Sequence, residues 1–218
     1  MGDRGPFTLP TPKTTECANL KWCFGIRGLW VAIPRGGEAT WLFGCPPRSL
    51  VKGKFLLGGT DALLSSNDVR VWYEGQLGAP VGGPNPGVGL LFHATTRSGA
   101  VGSFQPILGC ISLSQAIGRS TLAVTPHAAG SSLVPRAKNI ILEPGSDRAV
   151  DMSCLKKETI VGSWNAFAFG TQNPPDVPPP GAITVTMHQG PGVVLAVIET
   201  KKSVPYLIHI QVGLLCQS

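Results

Sequence analysis

Four histidines, His93, His127, His188 and His209, are the first residues to test for chemistry, because a serine hydrolase sets an imidazole between a hydroxyl and a carboxylate. The Gly-x-Ser-x-Gly elbow that presents such a serine is absent. The nearest serine context, Arg97-Ser98-Gly99, reads as a polar turn after a strand. Cysteine nucleophiles fare no better: Cys110 and Cys154 flank apolar strands, where a thiol serves as a small hydrophobe. Glu74 and Glu143 are separated acids, and only their spacing in three dimensions would make them a glycosidase pair. No Gly-Lys-Ser/Thr follows Pro86-Gly87-Val88-Gly89, so those glycines do not form a phosphate loop. His188, after Met187, and His209, between Ile208 and Ile210, sit in strand patterns as structural histidines do. No catalytic, cofactor-binding or metal-binding residue is assigned, and the expectation is a protein that is not an enzyme.

Six cysteines (Cys17, Cys23, Cys45, Cys110, Cys154, Cys216) include no Cys-x-x-Cys pair, so zinc-site spacing is missing. Their even number permits disulfides. The chain starts without the apolar segment of a signal peptide, however, and the expectation is reduced thiols in an intracellular setting. Pro6 stands where a myristoylation signal needs Ser or Thr. Apolar stretches fall well short of the roughly 18 residues of a membrane-spanning helix, so no membrane partner is expected.

The net charge of +6 suits a polyanionic partner, yet no run of four Lys or Arg exists and no nucleic-acid-reading motif is present. Contact with RNA would rest on backbone electrostatics, which tolerate any sequence and weaken with salt. Arg4 and Lys13 are the residues placed for it when the N-terminal arm points inward. Solvated arm charges are equally consistent with the sequence.

The elements that must position these residues are strands. Glycine (28) and proline (20) punctuate short apolar runs, as turns do between strands, and helix-favouring runs are scarce. Residues 1–19 read as an extended arm and residues 20–218 as a single all-β domain. An aromatic strand region at 20–33 is broken at Gly25 and Gly28, and strands follow at 39–43, 51–57, 69–74 and 88–94. Residues 111–117 read as a short helix and 121–124 as a strand. Further strands fall at 139–142, 149–155, 163–169, 182–187, 193–198 and 206–214. Within 163–169, Trp164, Ala166 and Ala168 share one face, and Asn165, Phe167 and Phe169 share the other. Residues 78–87 and the five-proline stretch 173–180 are loops. Strands at this density predict a two-sheet sandwich, either jelly roll or immunoglobulin-like. Only 14% of residues are charged, which fits either a compact, poorly soluble protein or a subunit that hides surface against neighbours.

Residues 137–167 combine an apolar strand, the turn Pro144-Gly145-Ser146, an alternating strand, the step Ile160-Val161-Gly162 and an aromatic strand. This region resembles the small coat proteins of plant picorna-like viruses, the comovirus and fabavirus group of the Secoviridae. The strand–turn–strand ending at 194–214 and the strand pair at 68–75 and 87–94 are similar in style, so the resemblance spans about the last 150 residues. It implies an eight-stranded jelly roll that assembles with sister coat proteins into a pseudo-T=3 icosahedral shell around positive-strand RNA. The implied location is the virion, and the host cytoplasm during assembly.

Two other readings compete. An immunoglobulin-like binding module shares the strands and turns, but Cys17 and Cys23 are too close to span two sheets. A carbohydrate-active enzyme would use Trp22, Trp30, Trp41, Trp72 or Trp164 to stack on sugars, whereas core packing is the ordinary use of tryptophan.

Overall fold

The computed structural model describes residues 23–45, 55–74, 89–112 and 133–217. The arm with Arg4 and Lys13, Trp22, the loop at 78–87, the strand expected at 121–124 and His127 all lie outside the described residues. Those described form thirteen strands and no helix. They are β1 (Cys23–Arg27), β2 (Trp30–Ile33), β3 (Glu38–Gly44), β4 (Phe55–Leu64), β5 (Val69–Glu74), β6 (Gly89–Thr96) and β7 (Gly102–Ser112), followed by β8 (Leu133–Leu142), β9 (Asp147–Ser153), β10 (Thr159–Phe169), β11 (Ile183–Gly190), β12 (Val193–Thr200) and β13 (Ile208–Gln217).

Every pairing is antiparallel. A seven-stranded sheet runs from β4 through β7, then β1 and β2 side by side along β7, then β10, β13 and β8. Two three-stranded sheets, β3-β6-β5 and β11-β12-β9, complete the fold. Side-chain alternation shows how they stack. On β10, Ala166 and Ala168 enter a core with Trp41, Leu90, Phe92 and Ala94 of β3 and β6. Phe167 and Phe169 enter a second core with Val150, Ala196 and Ile198 of β9 and β12. Neighbouring residues of a strand point to opposite faces, so the small sheets cover opposite faces of the large one. The two-faced reading of 163–169 therefore holds, and both faces are buried near the strand's end. β2 behaves alike: Val31 and Ile33 join the first core, and Ala32 the second.

Proline and glycine place the corners. The β1–β2 break falls at Gly28, whose N–H donates to the Pro106 carbonyl at 2.8 Å; a Cβ there would stand 2.7 Å from Pro106 Cγ. Gly25 breaks nothing and pairs with Gly109 inside β1. Pro144-Gly145 makes the expected turn with Gly145 at φ 80°, but the strands it joins sit in different sheets: β8 pairs with β13, and β9 with β12. Residues 201–207 likewise carry the chain from β12 across to β13.

These two crossings lock together at Thr200. Its buried hydroxyl donates to the Ser146 carbonyl at 2.8 Å and accepts from the Ser146 N–H at 3.0 Å. Thr200→Val keeps the shape and removes both hydroxyl bonds, leaving the Ser146 N–H with the Glu143 carbonyl alone at 3.2 Å, so we expect a loss of about 1 kcal/mol in urea unfolding. An unchanged midpoint would show that the crossings do not depend on this hydroxyl.

Three expectations need correction. The helix expected at 111–117 begins with Ile111 and Ser112, which close β7; residues 113–117 lie outside the described set. The strand expected at 51–57 runs as β4 to Leu64, and the one at 139–142 starts as β8 at Leu133. The thiols expected to be reduced are joined, Cys45 to Cys110 and Cys154 to Cys216. Residues far apart in sequence are brought to Cα separations of 5.9 Å and 5.7 Å, within the range a disulfide spans.

Candidate interaction surfaces

Cross-strand register builds one polar cluster on the outer face of β3-β6-β5. Thr40, His93 and Trp72 lie in a row across the three strands, with Glu38 and Glu74 on the diagonals. The Trp72 and His93 rings stack at 5.5 Å and 12°. His93 Nδ1 lies 2.9 Å from Glu38 Oε1 and 3.1 Å from Thr40 Oγ1. Its Nε2 is buried without a hydrogen-bond partner, 3.8 Å from Glu74 Oε1.

This is not a hydrolase relay. Such a relay places carboxylate and hydroxyl on opposite ring nitrogens, and here both address Nδ1. What the geometry can do is tie three strands together through the Glu38 and Thr40 contacts of His93 and its stack on Trp72. Sequence reading missed the cluster because its members are far apart in the chain and only the register unites them.

The other residues raised by the sequence serve the scaffold. Ser98 donates its hydroxyl and its N–H to Asp68 in the turn after β6, and those bonds, with Arg97 and Arg70 nearby, hold the Asp68 carboxyl below its ordinary range. Trp30 and Trp41 are core residues. Trp164 packs against Gly213, where a Cβ would fall 2.0 Å from its ring, so only glycine leaves room for the indole. Trp72 alone among the described tryptophans exposes a large part of its ring, 41% of the residue. His188 is exposed on β11 opposite Leu195. His209 is half-buried on β13, and loss of hydration lowers its pKa.

One group of potential metal ligands occurs among the described residues: Cys154, Glu158 and Cys216. The two sulfurs bond to each other, and Glu158 takes a bidentate Arg136 at 2.7 Å and 3.1 Å as well as the Leu155 N–H. These atoms already have partners, and the trio reads as a brace between β8, β13 and the β9–β10 turn. Arg136 and then the Leu155 amide lower the Glu158 pKa.

Asp68, Glu158 and His209 all have folded-state values below their ordinary ones. Each contribution is therefore complete above the unfolded value and is lost as pH falls through the folded value. We expect the urea midpoint to decline below about pH 6.5 as His209 protonates in the unfolded chain, and further below about pH 4. A midpoint flat from neutrality to pH 4 would contradict the His209 assignment.

Large apolar side chains are exposed on several separate faces. Val193 and Leu195 stand on the outer face of β12, Ile141 on β8, Leu63 and Leu64 at the end of β4, and Val161 on β10. Leu155 and Leu207, at 61% and 54% exposure, stand on turns. No helix of the described residues is long and apolar enough to cross a membrane. The comparisons with known proteins give no relative: no protein-family model, no curated protein and no solved structure matches the chain.

Proposed function

We propose that the chain is a structural coat subunit that assembles with sister coat proteins into an icosahedral, pseudo-T=3 shell around positive-strand RNA, and that it is not an enzyme. The observation that carries this reading is the spread of exposed large hydrophobics over several faces of one antiparallel β-sandwich. A subunit with neighbours on many sides would cover such faces on assembly. The jelly-roll form of the sandwich is part of the proposal. The strand–turn–strand at Pro144-Gly145-Ser146 supports the likeness to small coat proteins.

Assembly in the host cytoplasm would begin with reduced thiols, and the two disulfides would close once the virion leaves it. Electron microscopy of the protein from its natural source tests the reading. Uniform isometric particles support it, and small monodisperse molecules overturn it.

RNA contact within such a shell would be electrostatic, through Arg4 and Lys13. Replacing both by glutamine is expected to lower the slope of log K for single-stranded RNA against log salt by about 0.7 per side chain. An unchanged slope would remove the arm from the contact.

A β-sandwich binding module is the second reading, and one observation favours it. Cys45 and Cys110 join β3's end to β7 across two sheets, in the core that holds Trp41. A disulfide between sheets beside a buried tryptophan is also how immunoglobulin domains are built. Monodisperse molecules in the microscope would leave this reading in front.

A further inference from the structure

We infer that β11 is an open pairing edge through which two copies of this chain join their β11-β12-β9 sheets into one six-stranded sheet. β11 pairs with β12 along its whole length, from Ile183↔Thr200 to Gly190↔Val193, without a register shift. No described strand pairs with its other side, which leaves a row of backbone donors and acceptors able to template another strand.

Five other edges carry devices that discourage such pairing. β8 has Pro135, Arg136 and Lys138, β5 has Arg70 and Glu74, and β9 has Asp147, Arg148 and Asp151. β4 has a register shift after Leu57 together with Asp61. On β3, the Gln211 amide bonds both backbone groups of Leu42. The sequence of β11, Ile-Thr-Val-Thr-Met-His-Gln-Gly, has neither proline nor a charged Asp, Glu, Lys or Arg.

The occupant follows from charge and pattern. Ile183, Val185 and Met187 pack against the core but stay only partly buried, so a further strand with apolar residues at alternate positions would finish covering them. A second β11 supplies those residues. Antiparallel pairing about a two-fold axis normal to the sheet keeps the apolar rows on one face and the threonine rows on the other. It opposes no like charges among Asp, Glu, Lys and Arg, and threonine pairs across strands are favourable. The exposed Val193 and Leu195 of β12 would then flank the junction on both sides. The inference does not depend on the coat reading.

Sedimentation velocity of the full chain over a concentration series tests it, together with hydrogen exchange of the β11 amides. We expect a reversible dimer in which those amides are slowed. In the double variant Thr184→Lys, Thr186→Lys, opposed lysines should weaken the dimer at least about tenfold. Ala149→Lys on the far edge, β9, should leave it unchanged. A wild type that stays monomeric at every concentration overturns the inference. So does an oligomer whose β11 amides exchange as fast as in the monomer, or one weakened equally by Ala149→Lys. The exchange measurement needs no variant, so it decides the matter even if the lysine chain folds poorly.

Discussion

Replacing Cys45 and Cys110 together by alanine is expected to cost the fold about 4 kcal/mol, the loop-closure value for so distant a link. The two residues are separated by 65 positions, and their bond ties the end of β3 to the last residues of β7. Without it the unfolded chain regains the freedom of that loop, while the folded chain loses a sulfur pair buried to 7% and 0% exposure. Loss of the buried sulfur contacts adds in the same direction. The β3-β6-β5 sheet leans most on this bond, since its contact with the large sheet otherwise comes from side chains. The Cys154–Cys216 link, spanning 62 positions, has a similar expected size and acts on the opposite face of the large sheet. Guanidinium unfolding of each alanine pair, beside the wild type with and without reductant, measures both. Peptide mapping of the unreduced chain should find Cys45 linked to Cys110. Midpoints insensitive to reductant and to either alanine pair would refute the expectation.

The sequence made some elements legible and hid others for physical reasons. β12, whose residues alternate between exposed and buried, announced itself by period, as did the two faces of β10. β7 stayed hidden because a strand buried on both sides has no simple alternation, and this one carries Pro106, Gly109 and the buried Ser103 and Gln105. Pro106 is tolerated because it lies opposite the Gly28 break, a contact that sequence spacing cannot show. The turn at Pro144-Gly145 was plain, but not that it passes between sheets, because turn chemistry fixes local φ and says nothing of the partner strand. The cysteine pairs and the His93 cluster were hidden for the same reason: each unites residues more than fifty positions apart.

Gln211→Leu is the single substitution expected to do most damage outside the disulfides, about 3 kcal/mol. Gln211 is fully buried on β13, and its amide meets four groups. Oε1 accepts from the Leu42 N–H at 2.6 Å and from Trp164 Nε1 at 3.3 Å. Nε2 donates to the Leu42 carbonyl and to Asn139 Oδ1, both at 2.9 Å. The side chain thus pairs with one residue of the β3 edge as a neighbouring strand would, and pins that sheet to the large one across 169 positions of sequence. Leucine matches the volume but pairs with none of these groups, and unmade bonds to part-buried partners are costlier than the net value of bonds made. Gln211→Glu is a sharper probe. Ionised, it sets a carboxylate against the Leu42 carbonyl and Asn139 Oδ1; protonated, it regains one donor. The leucine variant should therefore melt lower at every pH, while the glutamate variant should recover part of its loss as pH falls. Parallel pH profiles for the two variants, or a leucine variant as stable as the wild type, would mean that β3 is held by apolar packing and the disulfide alone.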